Sequence, residues 1–112
     1  MPFDPGLAQR IREAVDGYAG VSERKMFGGL AFMLHGNMFV GVLGSTLMAR
    51  IGPEEYERAL ASKHVREMDF TGRPMKGYVF VDAEGLAQDS HLEHWVALSA
   101  RFASTLPRKP SK

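Results

Sequence analysis

The stretch "GGLAFMLHGNMFVGVLGSTLMARIG", residues 28–52, constrains the fold more than any other part of the chain. It is too continuously apolar for a surface helix, and glycine-bearing dipeptides cut it into strand-length pieces. Gly36-Asn37 and Gly44-Ser45 read as two-residue hairpin turns, which predicts three antiparallel strands over about 29–35, 38–43 and 46–51. Two such turns fix a register. His35 then opposes Met38, Met33 opposes Val40 and Ala31 opposes Val42. Across the second turn Val42 opposes Leu47, Val40 opposes Ala49 and Met38 opposes Ile51. That face is apolar apart from His35, and it is the expected core. The other face would carry Leu30, Phe32, Leu34, Phe39, Leu43 and Met48 with Thr46 and Arg50, and Gly41 would make room for Phe32. So oily a face needs a cover, because each such side chain left in water forgoes roughly 1.5–3 kcal/mol. Three covers are open: helices wrapped over both faces, a second chain, or a register one residue out of step.

Helical spacing flanks this segment. "DPGLAQRIREAVDGYAG" predicts a first helix, capped by Asp4, with Pro5 at its first position and Leu7, Ile11, Ala14, Val15 and Tyr18 in one stripe. "GPEEYERALASKH" predicts a second, with Glu54 and Glu55 in its first turn and Lys63 and His64 near its end, the order a helix dipole favours. "EMDF" and "YVFVD" read as two short strands joined by the loop "TGRPMKG". "DSHLEHWVALSARFASTL" predicts a third helix, with Ser90 and Glu93 in a capping-box pattern and Leu92, Trp95, Val96, Ser99, Phe102, Ala103 and Leu106 on one face. The expected fold class is α+β: an antiparallel sheet of about five strands with three helices, in the order α-β-β-β-α-β-β-α. One domain spans 1–106, and 107–112 is a frayed polar tail.

Bulk properties exclude several functions. The 112 residues suit one domain able to bury a core unaided. No cysteine is present, which removes disulfides, thiolate nucleophiles and cysteine-based zinc sites. The formal net charge is only +1, weak support for tight nucleic-acid binding. Neither a secretory leader nor an apolar run of membrane-spanning length is visible, so the expected location is cytoplasmic, with no membrane partner.

Chemistry-bearing patterns are sparse. Arg24, Lys25, Gly28 and Gly29 resemble a phosphate loop in composition, but a strand follows where the Walker pattern requires a Gly-Lys-Ser/Thr helix start. A glycine bend into the sheet is the better reading. Arg73 and Lys76, in the Gly/Pro loop, are charges of a kind exposed loops commonly carry. Together with Arg24 and Lys25, and with Arg50, they could converge as an anion or nucleic-acid contact. His91 and His94 share a helix side but lack a third ligand, so no metal is expected. Ser45 has no nucleophile elbow around it, and no carboxylate pair stands out. No catalytic residue and no cofactor are expected.

The segments "RKMFGG" (24–29), "HGNMFVGVLGSTLMARI" (35–51) and "MKGYVFVD" (75–82), with Trp95 in the last helix, together resemble the N-terminal domain of the TfoX/Sxy competence-regulator family. The likeness runs from about residue 8 to residue 105 and rests on the order of these pieces. It implies an α/β domain of the order read above and a regulatory connection, since full-length relatives positively regulate natural-transformation genes. It supplies no catalytic residues. The chain ends at 112, without the C-terminal domain of those regulators, so a stand-alone, single-domain member is expected. The resulting functional expectation is a small non-enzymatic regulatory or adaptor domain, linked to transcription or competence and acting through protein contacts. Its expected partner surface is Phe32, Leu34, Phe39, Met48 and Arg50, facing an unidentified protein or a second copy in a homodimer. A nucleic-acid accessory role, supported by Arg101, Arg108, Lys109 and Lys112, is the alternative. A small-ligand or enzyme role, built on a pocket joining His35, Arg50 and Arg73, comes third.

Overall fold

The computed structural model describes residues 3–26, 28–68 and 75–108. The first helix, α1 (Pro5–Val15), begins where its sequence dictates: the Asp4 carboxylate accepts from the Gly6 amide at 2.8 Å, and Pro5 occupies the first turn. Among the described residues six strands follow: β1 (Val21–Met26), β2 (Gly29–Leu34), β3 (Asn37–Leu43), β4 (Thr46–Arg50), β5 (Val65–Glu67) and β6 (Tyr78–Val81). Helix α2 (Tyr56–Leu60) precedes β5. A 3-10 turn (Ala83–Leu86) and α3 (Asp89–Ala103) close the chain. All strands join one antiparallel sheet in the order β1-β2-β3-β4-β6-β5. The expected class and element order hold, with one strand more than foreseen. That strand, β1, is an edge strand of polar sequence, VSERKM, without apolar alternation.

The second hairpin pairs as predicted. Val42 opposes Leu47 and Val40 opposes Ala49 around Gly44-Ser45, where Gly44 has φ +59. The first hairpin does not. Its turn is His35-Gly36, with φ +51 and +84, and Leu34 rather than His35 closes the ladder, opposite Asn37. Two consecutive positive-φ residues give the type I′ twist that a tight hairpin favours. Downstream, Phe32 pairs with Val40 but Met33 pairs with Met38, leaving Phe39 as the extra residue of a β-bulge. Leu30 therefore opposes Val42, one residue out of step with the sequence expectation.

That single step exchanges the faces of β2. Leu30, Phe32, Leu34 and the bulged Phe39 enter the helix-covered core, joined by Val40, Val42, Leu47, Ala49, Val79 and Val81. Leu7, Ala8, Ile11 and Val15 of α1, Tyr56 and Ala59 of α2, and Leu92, Trp95, Val96, Ala100 and Ala103 of α3 complete the same cluster, so all three helices pack on one side of the sheet. Side-chain ties fix the helices. Arg12 forks onto Glu23 of β1 at 2.8 and 3.0 Å, and Arg10 donates to the Leu86 carbonyl at 2.6 Å and to Asp89 at 3.1 Å. Helix α3 starts at Asp89 after a Gln88 N-cap that makes no side-chain capping bond. The Ser90–Glu93 capping box is thus not formed: the preceding 3-10 turn delivers the chain to the helix before Ser90.

Candidate protein-docking face

With the helices on one side, β-alternation and the bulge decide what lines the other. Met48, Met68 and Phe80 form a second apolar cluster there, with Met38, Leu43 and Tyr78 against it. Met26 belongs to the same face, and so does Met33, which lies opposite Met38. Among the described residues the helix-side cluster contains no methionine. The thioether side chain is flexible and polarisable, suited to surfaces that adapt to what they touch.

The registers place one row of side chains straight across this face: Arg24, Ala31, Gly41, Met48, Phe80 and Arg66, each opposite the next. Ala31 and Gly41 are its low points. Met26 and Leu43 rise on one side of them and Met38 on the other, around a shallow apolar dip of only about 20 Å³. The row ends in guanidinium groups. Arg66 stacks 5.0 Å from the Phe80 ring centroid and pairs with Asp82 at 2.9 Å, while Arg24 stands on the exposed edge strand. Five inter-strand steps separate the two arginines, roughly 24 Å.

Two glycines keep this surface open. A β-carbon at Gly41 would lie 3.0 Å from both the Met48 methyl and the Leu30 carbonyl oxygen. At Gly29 a β-carbon would collide with the Val42 carbonyl, so β2 can approach β3 there only as glycine. Gly28, at φ +76, turns the chain between β1 and β2. The glycine pair is therefore a turn and a close backbone contact.

The fold divides the expected partner surface. Met48 lies on the face opposite the helices, as read from sequence; Arg50 shares its alternation, but its guanidinium reaches Phe102 of α3 at the end of the sheet. Phe32, Leu34 and Phe39 are not on that face: they are 0, 4 and 0% exposed beneath the helices, because the bulge reverses their direction. Met26, Met33, Met38, Met68 and Phe80 take their place. That each methionine lies in or beside a strand was visible in the sequence, but which face it takes is set only by the pairing and the bulge. Arg50 is half-buried between the Tyr78 and Phe102 rings, at 5.4 and 5.6 Å, and reaches the Met38 carbonyl at 3.4 Å.

Among the described residues, Arg24 and Lys25 do not converge with Lys76. Arg24 and Lys25 are neighbours on β1 and point to opposite faces, while Lys76 sits in the turn before β6, with β2, β3 and β4 between. Arg73, Lys109 and Lys112 lie outside the described residues, and Arg101 is on the far, helical side. His35 packs against Gly20, away from a joint pocket with Arg50. His91 and His94 meet His64, Lys63 and Glu84 around another surface hollow, yet among the described residues no group of three or more His, Asp or Glu could hold a metal ion. No described helix is long and apolar enough to cross a membrane.

Fold and surface together define a small α+β module with one helix-covered and one methionine-lined sheet face. The TfoX N-terminal domain family model matches residues 13–103, and the chain belongs to that family. Comparisons with curated proteins and with solved structures returned no match.

Proposed function

We propose that this chain is a non-enzymatic, cytoplasmic docking module of the regulatory kind its family suggests, acting through protein contacts made by the methionine face. The observation that carries this reading is the segregation of Met26, Met33, Met38, Met48 and Met68 onto the side of the sheet that no helix covers. Met48, Met68 and Phe80 are buried and Met26, Met33, Met38 and Leu43 around them half-buried, and flexible methionines at such a rim suit adaptable protein recognition. The link to transcription or competence rests on family membership alone.

The test is affinity capture from the native cytoplasm with wild type, Met38→Glu and Leu43→Glu, each checked by thermal melting. Both residues are half-buried on the open face, so a charge there alters the surface more than the core. Loss of the same co-purifying protein with both folded variants supports the reading. Undiminished capture by both removes it.

A further inference from the structure

Three of the chain's four histidines come together at one place. His64 ends the turn between α2 and β5, and His91 and His94 lie one turn apart on α3. With Lys63, Glu84 and Trp95 they line a surface hollow of about 420 Å³. Small-molecule sites ordinarily enclose roughly 300–1,000 Å³. The backbone around the hollow is held in place. His64 has φ +66, a left-handed conformation uncommon outside glycine. Its carbonyl accepts from the Asp82 amide at 2.8 Å, and a β-carbon at Gly85 of the 3-10 turn would come within 3.1 Å of the His64 β-carbon. An unfavoured conformation fixed by its surroundings in this way is a mark of functional positions. The His94 ring stands edge-on to Trp95, 5.1 Å between centroids, which seats a second imidazole.

The polar groups of the hollow are uncommitted. Arg10, Arg12 and Arg66 elsewhere each hold a carboxylate, but among the described residues no side-chain hydrogen bond or ion pair engages Lys63, His64, Glu84, His91 or His94. Donors prevail: Lys63 offers an ammonium, each imidazole at least an N–H, and Ser62 a hydroxyl, against the carboxylate of Glu84. A metal ion does not fit, since no described group of three ligands could hold one. A planar carboxylate is best matched by the guanidinium fork, and the described lining contains no arginine. A phosphate accepts from many directions, and lysine binds it as a point charge. We propose that this hollow binds the phosphate group of a small molecule, with Lys63 supplying the charge and His64, His91 and His94 donating to its oxygens. Glu84, lining the same hollow, accepts from a hydroxyl of the molecule that carries the phosphate. This site is separate from the methionine face and does not rest on it.

Trp95, the only tryptophan in the chain, reports on the hollow directly. The full chain is titrated at constant ionic strength and pH with ribose 5-phosphate, inorganic phosphate and ribose. Fluorescence gives the affinity, and imidazole ring signals in NMR give the location. Both phosphates are expected to produce saturable changes that move His91 and His94, and ribose none. Tighter binding of ribose 5-phosphate supports a phosphate carried on a sugar, and tighter binding of the inorganic ion supports the free anion. Lys63→Glu and His91→Ala change exposed positions, and melting checks that each is folded. The first should weaken binding about tenfold or more, the second about threefold or more. Saturable binding that a folded Lys63→Glu leaves unchanged overturns the site, as does binding that moves other residues and not these histidines. Absence of any saturable change in both readouts with either phosphate overturns it as well.

Discussion

Gly41 on β3 faces Met48 on β4, and the methyl of Met48 lies where a side chain at position 41 would have to begin, 3.0 Å from its β-carbon. The dip in the methionine face exists because one residue yields its volume to the other. Gly41→Val should lose about 1–3 kcal/mol in urea unfolding, as the added bulk meets both Met48 and the Leu30 carbonyl. Gly41→Ala, which a shifted Met48 can accommodate, should cost less. Equal and negligible costs would mean that the two strands do not meet at this register.

The bulge makes neighbours behave oppositely. Phe39 is fully buried against the helices, its ring 6.4 Å from that of Tyr18, while Met38 is half-buried on the other face. Phe39→Ala should cost about 3–5 kcal/mol and Met38→Ala about 1 kcal/mol or less. The reverse order in chemical denaturation would mean that the strand is paired without the extra residue.

This pair also shows what the sequence could and could not convey. Asp4-Pro5 and the apolar stripe of α1 announce a helix, and Gly44-Ser45 announces a turn, because the local chemistry of each determines its backbone. His35 at a positive φ carries no such signal. A non-glycine residue takes up that conformation only when the surrounding strands reward it. Misplacing the turn by one residue, with the bulge unseen, sends Phe32, Leu34 and Phe39 to the wrong side, while Met48, read from the well-marked second turn, stays in place. Edge strand β1 escapes notice because its polar residues face water on all but one side. The apolar second face was expected on grounds of oiliness. Its true occupants are methionines, and only the cross-strand pairing reveals the row from Arg24 to Arg66.

Asn37 anchors the chain beyond α3. Its amide nitrogen donates to the Pro107 carbonyl at 2.8 Å, and the side chain is almost fully buried. Asn37→Ala should cost about 1–3 kcal/mol, since it leaves a cavity and an unpaired carbonyl. It should also speed proteolytic trimming near Pro107, read by mass spectrometry. A variant as stable and as resistant as wild type would show the tie to be idle.

Ser99 is the opposite case. It is fully buried on α3, and among the described residues its hydroxyl has no hydrogen-bond partner. Ser99→Ala removes a desolvated polar group without altering the packing, so stability should stay within about 0.5 kcal/mol of wild type or rise. A loss above about 2 kcal/mol would reveal a hydrogen bond at this position.

Tyr56 gives the fold an alkaline limit. Burial, then its 3.2 Å hydrogen bond to Glu67, raise its hydroxyl above the ordinary value of about 10. With the folded-state value raised, the stabilising contribution is fully present below about pH 10 and fades as pH climbs through the higher folded-state value. Tyr56→Phe should therefore flatten the fall in melting temperature above pH 10. A parallel fall in both proteins would assign the alkaline loss to other groups.

Site-specific photo-crosslinking tests the docking role most directly. A benzophenone amino acid is placed at Met38, on the methionine face, or at Glu93, exposed on α3. Irradiation in cells of the native host should join position 38, and not position 93, to one discrete protein. A crosslink formed from position 93 alone would place the contact on the helical side and contradict the account.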